Sequence, residues 1–151
     1  MKIAIGTDHN GVLKKDEIIT RLKSENYNIV DVSDKSVAGD DYPIYAFKLG
    51  KMIANKEADY GILLCGTGIG MSIAANKVKG IRAAHISSKE EAILAKEHNN
   101  ANVITLSANS NSTDTLYELI ISFLEASFKN EERHIRRNEQ IMKYELGEID
   151  V

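Results

Sequence analysis

The chain holds a single cysteine, Cys65, which ends an apolar run, YGILLC (60–65), just before a glycine-rich turn, GTGIG (66–70). A helix-like stretch follows, so the thiol faces a helix N-terminus across that turn. Such a position lowers a thiol's pKa toward neutrality, and a thiolate near neutral pKa can act as a general base. Thr67 sets a hydroxyl beside it. Gly66, Gly68 and Gly70 let the backbone approach a ligand closely, and the amides of the next helix point back into the turn. That arrangement can hold a phosphate or the oxyanion of an enediolate. Two plainer readings stand beside it: Cys65 as a small core hydrophobe, and glycines placed for tight packing. Nucleotide signatures fit poorly. No Lys-Ser/Thr follows the glycines, and their spacing is G-x-G-x-G rather than G-x-G-x-x-G.

Other candidates stand where strands or helices end. Asp8 and His9 follow the first apolar run and could act on a ligand or simply cap the next helix. His98 and Asn99 close a helical stretch, where a histidine can also serve the helix dipole. Arg133 and Arg137 lie four apart and share a helix face with His134 between them. That cluster is either a solvated surface or a forked grip on a phosphate. His85, at the end of another strand, reads as structural.

The elements that carry these residues alternate. Runs at 1–6, 27–32, 60–65, 81–86 and 102–107 have strand length and composition. Amphipathic stretches at 12–25, 44–55, 69–78, 87–99, 113–128 and 131–146 read as helices, with Gly80 as a C-cap for the third and a Ser-x-x-Glu capping box opening the fourth. The segment 33–43 is a polar loop ending in the only proline. This alternation predicts one α/β domain over 1–151, with a parallel sheet, helices on both faces and right-handed crossovers. Ligands of such folds bind beyond the carboxyl ends of the strands, which selects TDHNG (7–11) after the first strand, CGTGIG (65–70) after the third, and the turns after the fourth and fifth.

The formal net charge of −3 gives no basic footprint for nucleic acid. One cysteine excludes an internal disulfide and a four-cysteine zinc site. No signal pattern is evident, and no apolar run nears the roughly 18 residues of a membrane helix. The expectation is a cytoplasmic protein without nucleic-acid or membrane partners.

Taken together, GTDHNG (6–11), DYP (41–43), ADYGILLCGTGIGMSIAANKVKGIRAA (58–84), KEHNNANV (96–103) and RHIRRNEQI (133–141) resemble the type B ribose-5-phosphate isomerase family, which includes galactose-6-phosphate and allose-6-phosphate isomerases. The resemblance spans nearly the whole chain. It implies a three-layer α/β/α sandwich with a five-stranded, parallel, Rossmann-like sheet and an extra C-terminal helix over 131–146. It also implies aldose–ketose isomerisation of a phosphorylated sugar without metal or organic cofactor. Cys65 would move the proton between C1 and C2, Thr67 would assist, and His98 would open the sugar ring with Asp8. Gly66, Gly68, Ile69 and Gly70, with Asn99, would stabilise the enediolate. His9, Arg133, His134 and Arg137 would hold the substrate, chiefly its phosphate. The family's site lies between subunits, so a homodimer or dimer of dimers is implied, with the C-terminal helix serving the neighbour.

Some positions depart from the family pattern. Members usually read Gly-x-Arg after the fifth strand, and that arginine helps bind phosphate; here Ser107 and Asn109 stand there. Glu131 and Glu132 replace the usual glycine pair before Arg133. Substrate choice between a pentose and a 6-phosphohexose, placed near loop 33–43 and position 109, stays open. A sugar-phosphate or nucleotide-binding module without turnover is the alternative from another class. A thiol redox protein would lack a resolving cysteine.

Overall fold

The computed structural model describes residues 1–34 and 37–151; Lys35 and Ser36, in the polar loop expected at 33–43, lie outside the described residues. Five strands and six helices alternate: β1 (Lys2–Thr7), α1 (Val12–Ser24), β2 (Asn28–Asp31), α2 (Tyr42–Ala54), β3 (Tyr60–Cys65), α3 (Ile69–Ala75), β4 (Ala83–His85), α4 (Lys89–Glu97), β5 (Val103–Ser107), α5 (Thr113–Glu125) and α6 (Glu132–Glu145). All strand pairs are parallel, in the order β2-β1-β3-β5-β4. The chain leaves β1 toward β2 on one side and returns past it to β3. The crevice beyond β1 and β3 is therefore a switch point of strand order.

The central strands are apolar on both faces because helices cover both. Ile3, Ile5, Ile62, Leu64, Ile104 and Leu106 face α1, α4 and α5, where Ile18, Leu22, Leu116, Ile120 and Phe123 meet them. Ala4, Leu63, Cys65 and Val103 face α2 and α3, against Ala46, Leu49, Met71 and Ala75. Each large aliphatic side chain buried in this way contributes about 1.5–3 kcal/mol relative to exposure.

Several boundaries differ from the sequence reading. The third helix stops at Ala75, with Asn76 as its C-cap, so Gly80 (φ 82°) turns the chain into β4 instead of capping the helix. The reason is Asn76. Its side chain donates to Ala83 O (2.8 Å) and accepts from Ala83 N–H (2.9 Å), ending the helix and fastening the edge strand. Strand β4 is accordingly three residues long. Helix α2 begins two residues early because Pro43 occupies its first turn, where a missing N–H costs nothing. The capping box is present: Ser88 Oγ accepts from Glu91 N–H (3.1 Å), while the Glu91 carboxylate accepts from Ser87.

Candidate active site

Strand β3 delivers Cys65 to the carboxyl end of the sheet, opposite Ser107 of β5. The thiol is 5% exposed and lies beside the glycine turn, where Gly68 N–H donates to its sulfur at 3.1 Å. Gly68 reaches that position with φ at +80°, a conformation side-chain-bearing residues rarely adopt. A Cβ there would also lie 2.6 Å from Cε1 of His85. Gly70 is constrained by contact: a Cβ on it would stand 2.6 Å from Cζ of Tyr42. The glycines thus admit two rings against the turn as well as bending it. Helix α3 makes its first internal bond from Ser72 N–H to Gly68 O (3.2 Å), so Ile69, Gly70 and Met71 bring their amides to the turn without helical acceptors. Thr67 is exposed, and its hydroxyl accepts from Ile69 N–H (3.3 Å).

The second component comes from β1. Buried Asp8 does not cap α1, whose N-cap is Gly11; its carboxylate instead accepts from the backbone and side-chain amides of Asn10, both at 3.0 Å. This tight turn leaves His9 and Asn10 exposed at the rim. His9 Nδ1 stands 3.6 Å from Asp40 Oδ1. Beneath it, buried Lys15 pairs with Asp31 (2.6 Å), Asp31 accepts from Ser33, and Thr7 N–H donates to Ser33 Oγ (2.9 Å). That chain of contacts fixes the end of β1, and with it Asp8.

The loop after β5 is joined to the same turn. Ala108 N–H donates to Cys65 O (2.8 Å), Asn109 N–H to Gly66 O (3.1 Å), and Ser107 Oγ to Gly66 O (2.8 Å). Asp8, His9, Cys65, Thr67 and Gly66 to Gly70 therefore gather at one end of the sheet.

The remaining candidates gather elsewhere. Helix α4 runs back against the strand direction, so its C-cap, His98, lies toward the start of β5. The five residues Val103–Ser107 separate that level from the level of Cys65, about 13 Å along a strand. There the His98 and His134 rings stack, with centroids 4.3 Å apart and planes 12° apart. Asn138 of α6 donates to His98 O (3.0 Å) and His134 O (2.8 Å), tying α6 to α4. Burial, and then the charge of His98, push the His134 imidazole below its ordinary pKa. His134 Nε2 is buried without a hydrogen-bond partner among the described residues. Arg133, Arg137 and Asn99 are exposed around this pair. Within one chain the two groups do not meet.

Sequence reasoning missed three residues at the turn. His85, read as structural, is exposed, with its ring against Gly68 and its Nδ1 3.3 Å from Thr105 Oγ1. Tyr42 was legible only as part of DYP. Asn10 gave no signal beyond its place after Asp8 and His9. Among the described residues no group of three histidine, cysteine or carboxylate side chains could hold a metal, and no helix is long and apolar enough to cross a membrane.

The architecture and turn define a doubly wound α/β protein with a candidate ligand site at the carboxyl end of its parallel sheet, and the comparisons place the chain more closely. The ribose/galactose isomerase family model matches residues 3–141. The probable ribose-5-phosphate isomerase B of Mycoplasma genitalium is 42% identical over 145 residues, 95% of each chain. The ribose-5-phosphate isomerase B structure from Clostridium thermocellum superposes with a TM-score of 0.93 at 38% identity, covering 97% of this chain and 99% of that one. The Mycoplasma genitalium structure with bound ribulose-5-phosphate gives 0.90 at 41% identity, covering 96% of each. The chain belongs to the ribose/galactose isomerase family.

Proposed function

We propose that this protein interconverts ribose 5-phosphate and ribulose 5-phosphate, with Cys65 as the proton-transfer base. The observation that carries this reading is the 3.1 Å hydrogen bond from Gly68 N–H to Cys65 Sγ, at the carboxyl end of the sheet. That backbone donor holds the sulfur beside the glycine turn. The open-chain aldose offers a proton at C2 beside the C1 carbonyl. As Cys65 removes it, the electron pair forms a C1=C2 double bond and O1 becomes an oxyanion. Returning the proton to C1, while the O2 proton moves to O1, gives the ketose. Amides of the glycine turn face the developing oxyanion, and Thr67 serves the oxygen-to-oxygen transfer. In comparable sites, losing one such donor costs about 10²–10³ in kcat. A phosphorylated substrate supports the cytoplasm as the compartment of the reaction.

His98, Asn99, Arg133, His134 and Arg137 serve a second copy's turn in this reading, making a homodimer with shared sites. Their separation from Cys65 within one chain supports this. So do the exposed apolar side chains Ile69 and Ile73 on α3 and Ile141 and Met142 on α6, which a second copy would cover. A 6-phosphohexose is the second reading, favoured by short, exposed Asn109 at the outer end of the turn.

Isomerisation in deuterated water, followed by NMR on ribose 5-phosphate, allose 6-phosphate and galactose 6-phosphate, tests both readings. Solvent deuterium should enter the transferred position, fastest with the pentose, and Cys65→Ala should abolish turnover while retaining substrate binding. Full activity in Cys65→Ala would remove the cysteine from the mechanism, and a faster hexose would reverse the substrate assignment.

A further inference from the structure

Two adjacent lysines open α1, and their surroundings differ sharply. Lys15 is buried and neutralised by Asp31 at 2.6 Å and Asp16 at 3.4 Å. Half-buried Lys14 pairs with no carboxylate among the described residues. Its ammonium reaches across to the loop after β5, where it donates to Ala108 O and to Asn111 O (2.7 Å). Two of its three N–H donors are thereby placed, and one remains. The charge is held in position without being cancelled.

The loop it grips belongs to the turn. Ala108 and Asn109 bond through their amides to Cys65 O and Gly66 O, and Ser107 O accepts from the Asn111 side chain (2.9 Å). The same segment carries the exposed Asn109, whose Nδ2 would stand 3.1 Å from a Cβ on Gly66; the Asn10 Nδ2 lies 3.8 Å from that point. Two amide side chains thus flank Gly66, and an uncancelled ammonium holds the loop that carries one of them. A compact ammonium with a spare donor suits a phosphate, which it binds as a point charge.

We propose that Lys14 is a substrate-binding residue, forming with Asn10 and Asn109 an anion subsite at the outer end of the glycine turn that takes the substrate's phosphate group. The proposal rests on the isomerase reading for its substrate, but binding of phosphate itself needs no turnover. Lys14 then supplies a cation from the same chain as Cys65, independently of the arginines on α6.

The test is titration of inorganic phosphate into the full-length protein by calorimetry, beside steady-state kinetics on ribose 5-phosphate. Lys14→Met should weaken phosphate binding and raise KM by about tenfold each, with kcat within about twofold; Lys14→Arg should stay within about threefold of wild type in both. Adding Asn109→Arg to Lys14→Met returns a cation to the subsite and should recover phosphate affinity. Unchanged phosphate affinity and KM in Lys14→Met would overturn the proposal, because Lys14 would then only brace the loop. So would a fall in kcat at constant KM. If Lys14→Met does not fold, Lys14→Gln decides, because its amide removes the charge while keeping N–H donors for the loop carbonyls: weaker phosphate binding supports the subsite, and unchanged binding refutes it. A wild-type protein that binds phosphate but turns over none of the sugars defeats the isomerase reading and leaves this titration decisive.

Discussion

The two ends of the sheet carry candidate site residues of opposite character. At the carboxyl end, the turn 65–70 is anchored from β3, β5 and its flanking rings, and its glycines are specified by neighbours as close as 2.6 Å. At the other end, His98 and His134 stack on each other among exposed arginines, and His134 Nε2 goes without a hydrogen-bond partner among the described residues. One group is enclosed by contacts within its own chain, whereas the other sets exposed arginines around a buried histidine. The difference teaches that an intact fold and an intact site are separate properties here. If the proposed shared site is right, a monomer can be fully folded and hold only half of what the reaction needs.

The sharpest way to break this comparison is to damage each end in a different molecule. Cys65→Ala and His98→Ala should each be nearly inactive alone. When they are mixed and allowed to exchange subunits, half of the dimers become mixed and each gains one intact site. Activity should therefore recover to about a quarter of wild type. No recovery, in a mixture shown by native mass spectrometry to contain mixed dimers, would place both residues in one chain's site.

A smaller effect probes the enclosed end. Gly68→Ala must adopt φ near +80° and push into His85, a strain of roughly 1–2 kcal/mol from the backbone alone. It should lower kcat about a hundredfold by misdirecting the amide on Cys65, and reduce Tm by several degrees. A variant with normal kcat would show that the Gly68 amide contributes nothing to the thiol's reactivity.

Which parts were legible follows from what pattern can encode. Apolar runs of strand length located all five strands, because a parallel sheet covered on both faces leaves no polar alternation. The cysteine–glycine turn was legible because its residue types are its mechanism. The level of His98 follows from the same alternation, since a helix between parallel strands finishes at the start of the next one; its stacking on His134, 36 residues on, left no mark in the pattern. The early stop of α3 was hidden too: AANKVKG continues a helical pattern, and only the pairing of Asn76 with Ala83, seven residues on, ends it. Lys14 looked like one more surface charge on a helix. Its meaning lies in the contrast with Lys15 and in a loop more than ninety residues away.

The smallest effect concerns the scaffold between the two ends. Buried Lys96 sits with its Nζ 3.5 Å above the Tyr60 ring, and burial, followed by the charge of Arg82, lowers its pKa from 10.5 to about 8. Between about pH 8 and 10.5 the unfolded chain then binds more protons at this group than the folded one. Its contribution to stability therefore rises with pH across that window and is lost as pH falls toward 8. Lys96→Met should remove this slope in melts from pH 7 to 9.5, leaving Tm at pH 7 unchanged or a few degrees higher. A marked drop in Tm at pH 7 would mean that the ammonium–ring contact outweighs the cost of burying the charge.

The clasp that Asn76 makes on Ala83 reaches further than the end of a helix. By occupying both outward-facing main-chain groups of that residue, it denies the β4 border to an incoming strand. In the dimer proposed above, two copies would thereby be steered away from merging their sheets into one continuous ribbon there and toward meeting through helical surfaces, such as the one that carries Arg133 and Arg137.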